Sequence, residues 1–402
     1  MRPRLLTIRN FVLLIAITGL FSGLVFWLKS GMPLPGGSVP STAGNIAYIS
    51  TSEDGVSHLV MARGDDGSSV VSLADGVVPE GGLAWKPDGS LVAFAGVSGT
   101  DRNPQIHEVD AQAGAKVVPL THTSSAKSAP VFGSDARVYF LADGKLLATT
   151  TEGTNTDQVF PSSDALKSLV GTDEQPGILS MGGIARAMPS PVGSHIAVVL
   201  KTEHGEALLL YEAETKYCVM IGVAERILPA FASDGRLTAV FANGSPLSEP
   251  RPLFNADFLK AGATVSKDAI DIVPPAGSSA AVVFDTAGAV QSVLPLPFAP
   301  VAAAVSPDGS RIAMALDKPG NIGKGKTIQG LLLGGLKGEP GTRAFSGPVS
   351  DVSFSPDGKQ VAFVSGSSVY MVSSEAGGTP RVLSTGPGRA GAPVWSPALP
   401  RH

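Results

Sequence analysis

The 402-residue chain has one cysteine, Cys218, so no intrachain disulfide is possible and the fold must hold by packing alone. Cys218 does not sit behind the N-terminal apolar segment, where a lipoprotein would carry its acylated cysteine. Charge is scarce at 16% and aromatic residues at 6%; 30 basic against 34 acidic residues leave a net charge of −4, with no basic tract after the first ten positions. That balance argues against nucleic acid as a partner. The histidines, His58, His107, His122, His195, His204 and His402, lack the i, i+4 or paired spacing of metal sites and read as exposed turn or strand residues. What the chain has in quantity is 48 glycines and 32 prolines, which suits many short strands joined by tight turns, an all-β body.

One long hydrophobic run stands apart. Asn10 to Leu28 (NFVLLIAITGLFSGLVFWL) contains no charge and, at 1.5 Å per helical residue, is long enough to cross a hydrocarbon core of about 30 Å. Arg2, Arg4 and Arg9 precede it and only Lys29 follows closely, so residues 1–9 are expected in the cytoplasm and the remainder outside. The run exceeds a signal-peptide core and ends Phe26, Trp27, Leu28, Lys29 without a small-x-small cleavage site, which favours an uncleaved signal anchor. Residues 29–44, rich in Pro, Gly and Ser, read as a flexible linker, and 45–402 as one domain.

That domain repeats. Trp85 to Ala95 (WKPDGSLVAFA), Val305 to Ala315 (VSPDGSRIAMA) and Phe354 to Val364 (FSPDGKQVAFV) are strong copies; weaker ones start at Phe132, Pro189, Phe231 and Val273, and a truncated one at Val394. In each, an apolar strand ends at a Pro position, Asp-Gly turns the chain, and an alternating strand follows. Small residues such as Ala93, Ala313 and Ala362 would let sheets pack closely. The markers Pro87, Ser134, Pro191, Ser233, Pro275, Pro307, Pro356 and Pro397 predict a single β-propeller of eight four-stranded blades, about 44 residues each, with seven as the alternative; Pro275, with a short interval and no Asp, is the weakest. The strand Asn45 to Ile49 lacks a preceding turn motif and Ala392 to Pro397 lacks a following strand, so the two ends are expected to complete one blade together.

The copies resemble the TolB-type repeat of bacterial propellers over most of Ile46 to Pro397. The resemblance is confined to the blades: Lys29 to Asn45 is too short for the α/β domain that precedes them in TolB, and the G-x-S-x-G elbow of prolyl-oligopeptidase-like enzymes is missing. It implies a periplasmic module, tethered to the inner or cytoplasmic membrane, that binds or scaffolds envelope proteins. The rival is a hydrolase or lyase with its site at the central channel.

No catalytic, cofactor or metal residues are predicted. Gly320 to Thr327 satisfies G-x-x-x-x-G-K-T, but Ile328 to Gly338 is too glycine-rich for the helix a phosphate loop requires, so the run reads as a hairpin loop between the second and third strands of a blade, and no nucleotide is expected there. Asp65, Asp66, Asp88, Asp234, Asp308 and Asp357 lack calcium-loop spacing and suit tight turns. Asn243, Gly244 and Ser245 form a sequon that also reads as a turn. The longest irregular stretch, Thr149 to Ile184, is the candidate functional loop.

Overall fold

The structure, a computed structural model, describes residues 44–397 except 65–66, 68, 79–80, 99–101, 154, 162–182, 262, 264, 323–325, 339–340, 376–377 and 386–389. The expected span at 10–28, the segments before and after it up to residue 43, Asp65, Asp66 and His402 lie outside the described residues. Among the described residues no helix is long and apolar enough to cross a membrane.

The turn motif closes on itself through its own side chains. Ser306 Oγ donates to Asp308 Oδ1 at 2.5 Å, Asp308 Oδ1 accepts the Ser310 N–H at 3.1 Å, and Ser306 Oγ accepts the Arg311 N–H at 2.9 Å. Gly309 takes φ +67°, where a side chain would be strained. Ser355 and Asp357 repeat the pattern, with the Lys359 and Gln360 N–H groups as donors. A stretch of six residues therefore turns the chain without outside help.

Each turn joins the first two strands of an antiparallel unit. Five sheets have four strands: Ala390–Trp395 with Asn45–Thr51, Ser57–Arg63 and Val71–Asp75; Leu83–Trp85 with Leu91–Gly96, Gln105–Asp110 and Val118–Pro119; Lys127–Phe132 with Val138–Ala142, Lys145–Thr149 and Thr156–Phe160; Ala302–Val305 with Arg311–Ile322, Lys326–Gly335 and Thr342–Ser346; and Val352–Phe354 with Gln360–Ser365, Ser368–Ser373 and Arg381–Thr385. A sixth sheet has seven strands, in the order Ile184–Pro189, His195–Lys201, Glu206–Glu212, Tyr217–Phe231, Leu237–Phe254, Ser279–Phe284 and Val290–Leu296.

The two long strands of the sixth sheet explain its size. Residues 218–224 pair with 244–254, while 226–231 pair with 237–242. Between these stretches Asn243 adopts φ +51° and its Nδ2 donates to Glu225 Oε2 at 2.7 Å. Gly244 sits so close to the facing strand that a Cβ there would lie 2.3 Å from the Ala224 Cα. The sheet bends at this point and its halves pack face to face, with Val199, Leu208 and Ile221 against Ile227, Ala239, Phe241 and Phe284. The expected turn at Asn243 is thus a kink within a continuous strand.

Among the described residues the innermost strands, Ala390–Trp395, Leu83–Trp85, Lys127–Phe132, Ile184–Pro189, 226–231, Ala302–Val305 and Val352–Phe354, touch one another in that order and close into a cycle of seven. Buried apolar clusters fill every gap between successive units. Ala93, Ala313 and Ala362 are completely buried in these gaps, as their size requires. Pro275 opens no sheet of its own: it precedes Ser279–Phe284, the third strand of the unit whose first turn is at Ser233. The Pro275 copy has the strand pattern of a repeat but not the Ser and Asp that close the turn, and among the described residues it opens no unit of its own, against the expectation of eight.

The chain ends meet as expected. Ile46 pairs with Trp395 and Ala47 with Val394; the Ser396 N–H donates to Asn45 O at 2.7 Å, and the Asn45 N–H to Ser396 Oγ at 2.8 Å.

Two other expectations change. Thr149 to Ile184 is not irregular throughout, because Thr156–Phe160 is the outer strand of its sheet; 162–182 lie outside the described residues. His107 is buried rather than exposed, stacked on Phe94 with ring centroids 5.5 Å apart. Its Nδ1 donates to Gln105 O at 3.1 Å, which leaves Nε2 to accept from Ser98 Oγ at 2.9 Å.

Candidate functional site

The innermost strands end at the turns, and there a cavity of about 390 Å³ opens between the innermost strands of successive units. Its wall comes from four units: Met188 and Pro191, Pro229 to Phe231, Ala303 to Val305, and Val352 to Phe354. No ionisable side chain lines it. Consecutive residues at the ends of these strands form the wall, all of them uncharged, while the turn carboxylates bend back onto their own loops.

The rim is held in place by turn-to-turn bonds. Ser134 Oγ donates to Gly193 O at 2.9 Å, the Ser233 N–H to Pro307 O at 2.8 Å, and Arg236 Nη2 to Asp308 O at 3.0 Å. The Asp308 carboxyl is held down to about 2 by the Ser306 and Ser310 hydroxyls, and that of Asp88 to about 2, chiefly by Ser90. For Asp234, burial works upward but the Arg236 backbone and side chain outweigh it and keep the carboxyl low. These carboxylates are committed to their own turns, as the sequence predicted for Asp88, Asp234, Asp308 and Asp357. Among the described residues no three His, Cys, Asp or Glu side chains gather as a metal site would need.

Toward the starts of the innermost strands charge appears: Arg226 is exposed, with Nη1 3.5 Å from Val301 O, while Arg186 and Lys127 are bonded internally. Arg186 Nη1 donates to both Glu206 oxygens at 2.8 Å and to Ile227 O at 3.1 Å, and Glu206 Oε2 accepts the Ile227 N–H at 2.6 Å. The Lys127 ammonium, its pKa lowered by burial, donates to Thr123 Oγ1 at 2.7 Å and Ser125 O at 2.9 Å.

The formal phosphate-loop run lies in a β-hairpin. Gly320 pairs with Ile328, Asn321 with Thr327 and Ile322 with Lys326, and residues 323–325 lie outside the described residues. A strand from Lys326 occupies the place where phosphate binding requires a helix N-terminus.

One arrangement escaped sequence reasoning. His58 and Asp75 face each other across neighbouring strands, with His58 Nδ1 2.6 Å from Asp75 Oδ1, and Ser52 Oγ stands 3.4 Å from His58 Nε2. The order is that of a Ser-His-Asp triad, but the single Ser52 hydroxyl proton is directed elsewhere, toward Asp54 Oδ1 and Val56 O, which share it. Asp54 would also repel an oxyanion, so the arrangement works as a turn clasp. No sequence signal could have found it, because cross-strand register sets it.

No family model matches the sequence, and no curated protein matches it. Solved structures to which the chain is similar include TolB from Acinetobacter baumannii, at 14% identity over 93% of this chain and 70% of that one, with a TM-score of 0.48. Hydrazine synthase from Kuenenia stuttgartiensis is similar at 14% identity over 74% of this chain and 77% of that one, with a TM-score of 0.47. The tricorn protease is similar at 13% identity and a TM-score of 0.48, over 90% of this chain but only 36% of the protease chain. By its own strand topology and its repeated turn, the chain is a β-propeller.

Proposed function

We propose that this chain is a single-pass membrane protein whose seven-bladed propeller stands on the periplasmic side, N-terminus in the cytoplasm, and binds an apolar segment of an envelope protein at the channel mouth. The observation that carries the binding role is the cavity between Met188, Phe231, Val305 and Phe354, apolar and without an ionisable side chain in its lining. An enzyme acting there would need an acid, base or nucleophile on the wall. Arg186, on an innermost strand, and Glu206 spend their hydrogen bonds on each other and on Ile227. The tether rests on the uncharged run Asn10 to Leu28 and the arginines before it.

A photo-crosslinking residue at Phe231, activated in intact cells, is expected to capture a discrete partner that the same residue at Val118, exposed on an outer strand, does not. The same adducts at both positions would remove the channel mouth as the binding site. Fractionation with N-terminal mass measurement tests the tether; a soluble mature chain beginning after Leu28 would overturn it.

A further inference from the structure

At one position of the repeat, an acid stands where other units carry an apolar side chain. In five units an alanine of the second strand turns toward the next unit and packs in the gap between them: Ala47, Ala93, Ala197, Ala313 and Ala362. The residue directly opposite on the third strand shares that face of the sheet. In four of these units it is Met61, Leu210, Leu333 or Met371, each packed in the same cluster as its alanine. Opposite Ala93 it is Glu108.

Glu108 therefore points into the gap between the sheet of Leu91–Gly96 and that of Val138–Ala142, whose cluster includes Ala93, Ile106, Phe132, Val138 and Phe140. It is half-buried, and its Oε2 is shut off from solvent with no hydrogen-bond partner among the described residues. Burial pushes the carboxyl above its ordinary value; Lys86 works against the rise and Asp110 adds to it. Lys86 is itself engaged, with Nζ 3.0 Å from Asp88 Oδ2, and Lys116, before the strand that pairs with Glu108, is exposed. Across the gap, the Lys127 ammonium is bonded to Thr123 and Ser125, and Arg137 to Asp135 and Asp157. Asp143 and Lys145 flank the hairpin at the opposite end of their strands from the turn. His107, next in sequence, faces the preceding gap, where it stacks on Phe94.

From this geometry we propose that the joint between the Leu91–Gly96 and Val138–Ala142 sheets is a proton-operated latch, which tightens when Glu108 is protonated and loosens when Glu108 ionises. A neutral carboxyl is tolerated beside Ala93 and Ile106, whereas the ionised form must draw in water or leave the gap. The folded value is raised, so the latch is fully closed below the ordinary carboxyl value and opens as the pH rises through the folded one. Neither Glu108 nor the residues around it line the cavity at the strand ends, so failure of the latch would leave the proposed function standing.

The test is hydrogen–deuterium exchange of the full-length chain at about pH 4.5 and 7.5, corrected for intrinsic exchange and read on Gln105–Asp110 and Val138–Ala142. Wild type is compared with Glu108→Gln and Glu108→Met. His107 and the turn carboxylates are common to all three, so the difference between proteins at one pH isolates Glu108. At the higher pH both variants should exchange more slowly than wild type, by about 3-fold or more, and at the lower pH wild type and Glu108→Gln should converge. Glu108→Met, which copies Met61 and Met371, should stay slow at both; if it does not fold, Glu108→Gln decides. Equal exchange of wild type and Glu108→Gln at the higher pH, or a ratio between them that does not change with pH, would overturn the proposal. A Glu108→Gln protein that fails to fold, or melts below wild type at the higher pH, would overturn it as well.

Discussion

The indole Nε1 of Trp395 donates to the backbone carbonyl of Ser353 at 3.2 Å, tying the innermost strand supplied by the C-terminus to the innermost strand of the preceding unit. Trp85 does the same one step further round, donating to Val394 O at 2.9 Å. Trp395 is almost fully buried and packs with Ile46, Tyr48, Val364 and Met371 across the join. Closure therefore combines a strand ladder, an apolar plug and a polar tie in one residue.

Trp395→Ala is expected to destabilise the propeller by about 3–5 kcal/mol, the cost of removing a large buried aromatic side chain. Truncation after Ser384 should cost more, since it deletes Ala390–Trp395 and leaves the backbone groups of Asn45–Thr51 unpaired along that edge. Thermal melts of the three proteins measure both effects. Equal melting temperatures would show that the C-terminal strand contributes nothing to the ring.

Gly244→Ala should be among the most damaging glycine substitutions, because its Cβ would lie 2.3 Å from backbone of the facing strand, at Ala224. A loss of roughly 2 kcal/mol or more is expected, typical of overpacking that only the backbone can relieve. Gly277→Ala serves as the comparison for a glycine with positive φ but open space around it, and should cost about 1 kcal/mol. Urea titrations that rank the two variants the other way would remove the close approach as the reason for Gly244.

The turn carboxylates predict an acid-sensitive fold. Asp88 and Asp308 titrate at about 2 in the folded protein, below the value of about 3.9 of an unfolded chain. A depressed folded value means that the stabilisation is fully present above about pH 4 and is lost as the pH falls toward 2. Both groups face solvent, so screening reduces the size of the effect. Melting temperature followed from pH 5 to 2 should fall less steeply in Asp88→Asn/Asp308→Asn than in wild type, and parallel curves would contradict the assignment.

The Gly320 to Thr327 run is expected to be inert toward nucleotide, because the strand after it supplies no helix N-terminus. Titration of the protein with ATP should show no saturable binding. Micromolar affinity that Lys326→Ala abolishes would refute the hairpin assignment.

The repeated hairpin was legible in the sequence because its determinants are contiguous: the Ser306 hydroxyl, the Asp308 carboxylate and Gly309 close the turn within six residues, and the same letters recur at Ser355, Asp357 and Gly358. Closure was legible for a related reason. A first strand without its turn and a last turn without its strand are complementary halves of one pattern, and Ile46 pairs with Trp395 accordingly.

Sheet membership was decided in three dimensions. The Asn243-Gly244 pair looks like a turn, yet the hydrogen bond from Asn243 to Glu225 and the contact of Gly244 with Ala224 keep the strand running into the neighbouring unit. The Pro275 segment looks like a repeat, yet Ser279–Phe284 pairs as a third strand. Tertiary structure likewise made the alignment of Ser52, His58 and Asp75 and the uncharged cavity at the ends of the innermost strands, each of which depends on residues apart in the chain meeting across strands or sheets. By itself the sequence determined the local unit and its repetition, because turn chemistry and strand alternation act over a few neighbouring residues. Which strands share a sheet, how many units close the circle and where cavities remain were decided by the packed ring, because hydrogen-bond register and side-chain volume act only between segments that folding has already brought together.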